Sequence, residues 1–340
     1  MASRHTIDAS LRFDGQADLP DTRRVEKVDV EPVPAKVTEW MTIAREPYIV
    51  SPELEDAVNV AIALGRPLLL QGDPGSGKTR LAYAVAYALG LPLEEAYIKS
   101  TTHAQDLLYT YDAVRRLYDA QLPAEAGSHG GLDISRYLRL GPLGRAIARA
   151  GLPGGAGRRS VVLIDEIDKA DIDFPNDLLR ELESLEFEIQ EGTGHRYSVP
   201  ADRPDLRPII IVTNNEEKVL PSAFLRRCVF QHIEFPTDQA HFGRLLSVHD
   251  VEDPLLAIGA IDVLLRLRSL DLVKKPGVSE LLDWVGYLEA VGATPDELDD
   301  LPYIGTLLKT RTDIALVQDL PPREASAPAV VAPTTVERQP

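Results

Sequence analysis

The sequence predicts an α/β fold built on a parallel sheet, followed by a small all-helical region. Three observations carry that expectation. The runs Leu68-Leu69-Leu70, Ser160 to Ile164 and Pro208 to Val212 are continuously apolar, as strands covered on both faces of a parallel sheet are. Helical patterns lie between those runs, in the alternation of an α/β domain. From Asp238 to about Leu308 no strand pattern occurs, and helices such as Leu255 to Leu267 and Val278 to Leu288 take over.

Residues 1–45 are charged and Pro-spotted and read as an extended arm with one short helix near Val37 to Arg45. A helix starts at Pro52, with Ser51 as its cap and Glu53 at its positive end, and places Leu54, Val58, Ala61 and Ile62 on one face. It feeds the strand Leu68 to Gln71, which is followed by an Ala-rich helix over Leu81 to Leu89 that Gly90 and Pro92 stop. Tyr97-Ile98-Lys99 is a short strand candidate. Helical patterns at Asp106 to Ala120 and Ile134 to Leu140 flank the Gly-containing stretch Pro123 to Gly131, and Leu143 to Ala150 leads toward the run at Ser160.

Helix Phe174 to Ser184 puts Leu178, Leu179, Leu182 and Leu185 on one face. Phe187, Ile189, Tyr197 and Val199 alternate with polar residues on either side of Gly192-Thr193-Gly194, a β-hairpin pattern. Val229 to Phe235 is a further strand. The expected organisation is thus an arm over 1–45, a large α/β domain over 46–236, a helical domain over 237–310, and a Pro- and Ala-rich tail over 311–340 that should be disordered.

Composition narrows the classes. A hydrophobic content of 44 % in 340 residues indicates a folded protein. No apolar run approaches the roughly 18 residues of a membrane-spanning helix. The first forty residues lack the apolar core of a signal peptide, so a cytoplasmic location is expected. Cys228 is the only cysteine, which excludes an intramolecular disulfide and a multi-thiolate zinc site and suits a buried small apolar residue. The net charge of −17 argues against a general nucleic-acid binder. Within that acidic chain Arg136, Arg139, Arg145, Arg149, Arg158 and Arg159 form a basic stretch, explained by a solvated or phosphate-facing surface as well as by nucleic acid.

Gly72-Asp73-Pro74-Gly75-Ser76-Gly77-Lys78-Thr79 fits the pattern G-x-x-x-x-G-K-[ST] between a strand and a helix. At ordinary residue frequencies a chance match in such a chain is on the order of one in a hundred. The glycines let successive backbone N–H groups turn inward around phosphates, and the helix that follows, including Arg80, presents its positive end to them. Lys78 would reach the β- and γ-phosphates, and the Thr79 hydroxyl would hold Mg²⁺. Asp165 and Glu166 end the second apolar run. A carboxylate at that edge can hold Mg²⁺, and the next one can polarise a water toward the γ-phosphate; Asp165 takes the first role and Glu166 the second. Asn214 in Val212-Thr213-Asn214-Asn215 ends the third run, where an amide could orient the attacking water, although Asn is also common in turns after strands. Arg226-Arg227 is either a surface basic pair or a guanidinium source for a neighbouring subunit.

These elements, in this order and with a helical lid after them, resemble the AAA+ ATPases over about Tyr48 to Leu308. The long segment before Val161 to Asp168, the hairpin Phe187 to Val199, the sequence Asp168-Lys169-Ala170 and the block Leu220 to Cys228 look like the corresponding parts of the MoxR-like family. The resemblance implies a P-loop NTPase fold, a three-layer α/β/α parallel-sheet domain followed by the helical lid. It also implies ATP and Mg²⁺ as cofactors, the base near Tyr48, Ile49 and Val50, Asn214 as sensor 1, and Arg226 or Arg227 as the arginine finger. It further implies a homo-oligomeric ring, most simply a hexamer, that remodels or matures a client protein, with a partner carrying a von Willebrand factor A domain plausible. One departure stands out: Lys274-Lys275-Pro276-Gly277 lacks the Arg of sensor 2, and Lys275 is only a weak substitute. The competing readings are a DNA-acting AAA+ motor or loader, disfavoured by the acidic balance, and a nucleotide-dependent scaffold with little turnover.

Overall fold

Strands with apolar residues at every position must be covered on both faces. The structure is a computed structural model that describes residues 7–15, 20–29, 37–121, 134–191, 194–249 and 251–319. The chain divides into two units, Met1–Pro236 and Thr237–Pro340. In the first, the strands are β1 (Thr22–Asp29), β2 (Val37–Ala44), β3 (Leu68–Gln71), β4 (Leu93–Tyr97), β5 (Tyr109–Tyr111), β6 (Leu138–Leu140), β7 (Val161–Asp165), β8 (Glu186–Glu188), β9 (Arg196–Ser198), β10 (Ile209–Asn214) and β11 (Val229–His232). The helices are α1 (Pro52–Leu64), α2 (Lys78–Leu89), α3 (Ala113–Gln121), α4 (Pro142–Ala150), α5 (Phe174–Asp177), α6 (Leu179–Ser184) and α7 (Ser222–Leu225).

Five of these strands make one parallel sheet in the order β11-β3-β10-β7-β4. Alternate residues sort onto its two faces. Leu68, Leu70, Val161, Leu163, Ile209 and Ile211 pack with Leu54 and Val58 of α1 and Leu81 and Val85 of α2. Leu69, Val162, Ile164, Ile210 and Val212 pack on the opposite side with Leu143 and Ile147 of α4, Leu178 and Phe224. That is a three-layer α/β/α domain. Burying each such side chain is worth about 1.5–3 kcal/mol, so both covers contribute. The Ser51 hydroxyl accepts from Leu54 N at 3.3 Å to start α1, and Gly65 ends it in the left-handed conformation at φ 59.

The edge strand departs from expectation. It lies at Leu93–Tyr97, earlier than the Tyr97 to Lys99 candidate, because it carries a buried carboxylate that sequence patterning reads as a break. Glu94 is 2 % exposed. Arg149 Nη2 donates to its Oε1 at 2.7 Å, and Arg145 Nε donates to its Oε2 at 2.7 Å. Arg149, itself fully buried, also donates to Ser160 Oγ at 2.7 Å. The basic stretch is therefore not one solvated surface. Arg149 and Arg159 belong to the interior, where burial lowers the Arg159 pKa to about 10, while Arg136 and Arg139 are exposed.

Other local expectations change as well. The Val37 to Arg45 segment is strand β2, antiparallel to β1 with Thr22 opposite Ala44, in keeping with its Val, Thr, Trp and Ile content. The arm also enters the core at Phe13, which is 1 % exposed and exchanges hydrogen bonds with the Asn59 side chain of α1. In place of a helix over Asp106 to Ala120, a 3₁₀ turn at Ala104–Leu107 leads to β5 and then α3; in place of one over Ile134 to Leu140, a 3₁₀ turn at Ile134–Tyr137 leads to β6. The strands β5 and β6 pair antiparallel. The Pro123 to Gly131 stretch lies outside the described residues. The Phe174 to Ser184 helix is broken at Leu178 into α5 and α6. Strands β8 and β9 form the hairpin, with Phe187 stacked between Tyr197 and Tyr109 at centroid distances of 5.1 and 6.2 Å. Strand β11 ends at His232, short of Phe235. Cys228 is half-buried, and burial pushes its thiol up to about 12.

The second unit is helical throughout its described residues: α8 (Gln239–Val248), α9 (Pro254–Ser269), α10 (Val278–Ala290), two 3₁₀ turns and α11 (Arg311–Gln318). Trp284 is fully buried at its centre and donates from Nε1 to Pro302 O at 2.7 Å. Helix α11 corrects the expected tail boundary, since 311–318 is folded. Asp313, 1 % exposed, accepts from Val273 N at 2.8 Å and Lys274 N at 3.1 Å, joining α11 to the turn between α9 and α10. Burial pushes its carboxyl up, but these backbone donors and the Thr310 hydroxyl outweigh it and hold the pKa below the ordinary aspartate value. Among the described residues no helix is long and apolar enough to cross a membrane.

Two outcomes follow from these buried carboxylates. Glu94→Ala leaves the Arg149 guanidinium buried without its counter-charge and should cost about 3–5 kcal/mol in urea unfolding; a loss under about 1 kcal/mol would contradict the pairing. Because the Asp313 pKa is depressed on folding, its contribution is complete above the ordinary carboxylate value of about 4 and is lost as acid protonates the folded form. The gap in thermal stability between wild type and Asp313→Ala should therefore be widest near neutrality and narrow in acid.

Candidate active site

The strands β3, β7 and β10 lie side by side, and their C-terminal ends bring three sequence motifs to one edge, where ligands bind in open α/β sheets. The segment Gly72 to Gly77 connects β3 to α2 across this edge. Gly72 has φ +148, and a side chain there would run into the Ile233 carbonyl. Gly75 and Gly77 have φ of 77° and 87°. Gly77 caps α2 without any side-chain hydrogen bond, so the first amides of that helix face the loop.

Lys78 is 5 % exposed and donates from Nζ to Gly72 O at 2.7 Å and Asp73 O at 2.8 Å. Burial holds its pKa below the ordinary lysine value, against the pull of Asp73, Asp168, Asp165 and Glu166. The Ser76 hydroxyl is buried and has no hydrogen-bond partner among the described residues. A desolvated ammonium folded onto its own loop, an orphaned hydroxyl and a helix N-terminus together fit a phosphate chain. The Tyr48 ring packs against Gly77, with a ring carbon 3.2 Å from where a Cβ would stand. Burial, then Glu46, raises the Tyr48 pKa, so it is a neutral phenol. Arg80 points elsewhere. Its side chain is 62 % exposed, 3.4 Å from Glu46, and its guanidinium lies over the Tyr83 ring at 5.4 Å.

Asp165, at the end of β7, is 7 % exposed. Thr79 Oγ1 donates to its Oδ1 at 2.9 Å and Thr213 Oγ1 donates to the same oxygen at 2.7 Å. Thr79 and Asp165 thus present two hard oxygens side by side, the donor type that Mg²⁺ takes. Glu166 follows in the left-handed conformation, φ 58 and ψ 53, which costs a non-glycine residue roughly 1–3 kcal/mol. Its N–H donates to Thr213 Oγ1 at 2.7 Å, and its Oε1 accepts from Asn215 Nδ2 at 3.0 Å. Strain at this residue is balanced by fixed partners on both backbone and side chain.

The structure gives the two asparagines at the end of β10 different surroundings. Asn214 is 3 % exposed, and its Oδ1 accepts from Glu216 N at 2.8 Å, so it shapes the turn after β10. The amide in contact with Glu166 is that of the next residue, Asn215. Sequence reasoning also gave no role to Thr213, whose hydroxyl donates to the Asp165 carboxylate and accepts from the Glu166 backbone N–H. The available signal was a polar residue near the end of an otherwise apolar strand. Arg226 is exposed. Arg227 is half-buried, pairs through Nε with Glu183 and donates from Nη1 to Ala223 O at 2.9 Å. Lys275 lies in the second unit, in the turn between α9 and α10 where Arg268 Nη1 donates to Pro276 O at 2.8 Å.

No curated protein matches the chain. Residues 67–228 match the family described as AAA domain (dynein-related subfamily). That segment runs from the residue before β3 to the residue before β11 and holds the phosphate loop, both carboxylates, both asparagines and the arginine pair. This likeness, together with the five-stranded parallel sheet beneath the loop, supports an ATP-driven AAA+ ATPase with a P-loop α/β fold.

Proposed function

We propose that this protein is a MoxR-like AAA+ ATPase that hydrolyses Mg²⁺-bound ATP within a ring of like subunits, and uses the energy to remodel or mature a client protein. The observation that carries this reading is the placement of Glu166. It follows directly on Asp165, which Thr79 bonds, and it is held in a left-handed backbone with its N–H on Thr213 and its carboxylate met by the Asn215 amide. ATP bound in the loop would supply the phosphoanhydride bond to be cleaved by water, and Mg²⁺ would neutralise charge on its phosphates. Lys78 and the loop amides would hold the phosphates, and Tyr48 would close the loop on the side of the base. Thr79 and Asp165 would hold the metal. Glu166 would accept a proton from the attacking water, and Asn215 would orient its carboxylate.

An exposed Arg226 and an Arg227 anchored on Glu183 support a guanidinium presented outward to a neighbouring subunit. The MoxR-like assignment rests on the long segment before β7, the hairpin β8–β9 and the Leu220 to Cys228 block. It brings with it a hexamer and a partner with a von Willebrand factor A domain as the assembly to look for.

Glu166→Gln should bind ATP with unchanged affinity and assemble, but turn over about 10²–10⁴-fold more slowly, the usual weight of a general base. Undiminished turnover in that variant would sink the mechanism. The shared site is tested by mixing two inactive proteins. Lys78→Ala supplies an intact arginine and lacks a working loop, whereas Arg226→Ala and Arg227→Ala supply the reverse. Turnover should reappear on mixing Lys78→Ala with the variant of the arginine that acts in trans; mixtures as inactive as both parents would exclude a site shared between subunits.

A further inference from the structure

The loop that leaves β10 carries Asn215, and its position must be set by something other than Asn215 itself. Asp168 lies two residues beyond Glu166 in a 3₁₀ turn, Ile167–Lys169, and is 2 % exposed. Its Oδ2 accepts from Asn215 N at 3.1 Å and from Glu217 N at 3.0 Å. One carboxylate oxygen therefore gathers both ends of a three-residue turn whose middle residue, Glu216, has φ +66. Asn214 Oδ1 holds the Glu216 N–H from the strand side at 2.8 Å. The remaining links between the two turns are more exposed. Lys169 Nζ stands 3.3 Å from Glu217 Oε1, with side chains 40 % and 52 % exposed, and Lys218 Nζ donates to Ala170 O at 2.7 Å. Exposed pairs of that kind contribute little, whereas backbone donors on a buried charged acceptor are among the stronger hydrogen bonds.

The mechanism above uses Glu166 and Asn215 and leaves Asp168 without a role, although placing a carboxylate in the interior is expensive. Its second oxygen, Oδ1, is buried with no hydrogen-bond partner among the described residues. A group retained at that cost, two residues from the proposed base and bonded to the backbone of the residue that contacts it, fits a mechanical role. We infer that Asp168 is a positioning residue for Glu166: by clamping the amides of Asn215 and Glu217 it fixes the Asn215 side chain against the Glu166 carboxylate. It acts through Asn215. This rests on Glu166 being the base.

A displacement of about 1 Å at a reacting group can cost on the order of a hundredfold in rate. In the full-length protein, Asp168→Ala should therefore lower kcat by about tenfold to a hundredfold and leave the KM for ATP near the wild-type value. Asp168→Asn keeps an oxygen facing the two amides, places its NH₂ at the orphaned position and should retain most of the activity. Asn215→Ala should show the same loss as Asp168→Ala, and the double variant should be no slower than Asn215→Ala alone, because the two act in one chain of contacts. Losses that multiply in the double variant, or an Asp168→Asn protein as slow as Asp168→Ala, would overturn the inference. Hydrogen exchange provides a readout without nucleotide. The Asn215 and Glu217 amides should exchange at least about tenfold faster in Asp168→Ala and near the wild-type rate in Asp168→Asn, as loss of a protecting hydrogen bond requires; unchanged exchange in Asp168→Ala refutes the clamp. If Asp168→Ala does not fold, Asp168→Ser, whose shorter side chain cannot span both amides, takes its place in each comparison. Glu166→Gln separates the two ideas. If it turns over normally, the assignment of the base fails, while the exchange data still decide whether Asp168 holds the loop.

Discussion

The hydroxyl of Thr213 ties together the ends of two neighbouring strands, and the candidate site depends on that tie. It accepts the Glu166 N–H and donates to Asp165 Oδ1, at 2.7 Å in each case. A hydroxyl can do both at once because it carries one proton and two lone pairs. Without it, the Glu166 N–H would lose its acceptor, and the Asp165 carboxylate would keep only Thr79 among the described residues. The tie is available because β7 and β10 are adjacent parallel strands in register, with Val212 beside Ile164. Sheet order therefore comes before site chemistry: only this neighbour relation brings a residue after Val212 to a residue after Ile164.

The same edge explains why a phosphate loop can be built here at all. Gly72 approaches the β11 side so closely that no side chain fits, and Lys78 is drawn in until its ammonium rests on loop carbonyls. Such an arrangement is poor in its own right, since a desolvated cation has only neutral acceptors. A polyphosphate would supply what it lacks. At the far edge of the sheet the protein handles a buried charge differently, enclosing Glu94 between Arg145 and Arg149. One buried charge is thus enclosed by opposite charges, whereas the other donates to the carbonyls of its own loop.

Much of this was legible in the residues. The unbroken apolar runs became central strands because full burial demands apolar residues on both faces. The loop Gly72 to Thr79 and the pair Asp165-Glu166 were legible because their chemistry depends on residues adjacent in the chain. Misreadings arose where a distant partner set the local structure. Strand β4 escaped notice because Glu94 is tolerable in a buried strand only with arginines 51 and 55 residues further on. The segment expected as a helix near Val37 is strand β2, and the end of the one expected over Ile134 to Leu140 is strand β6, because each pairs with another segment. Periodicity within one stretch cannot reveal that pairing.

The amino-acid order determined the class of fold, the phosphate loop and the two acidic residues at the strand end. Each of these is a local pattern with a local physical cause. The tertiary structure decided which asparagine meets Glu166, which oxygen receives its backbone N–H, which arginines lie in the interior and that residues 311–318 form a helix. Side chains one residue apart near a strand end point in different directions. The difference between Asn214 and Asn215 therefore turns on how one short loop leaves the sheet, and that path is set by the buried Asp168 carboxylate, 47 and 49 positions away from the amides it holds.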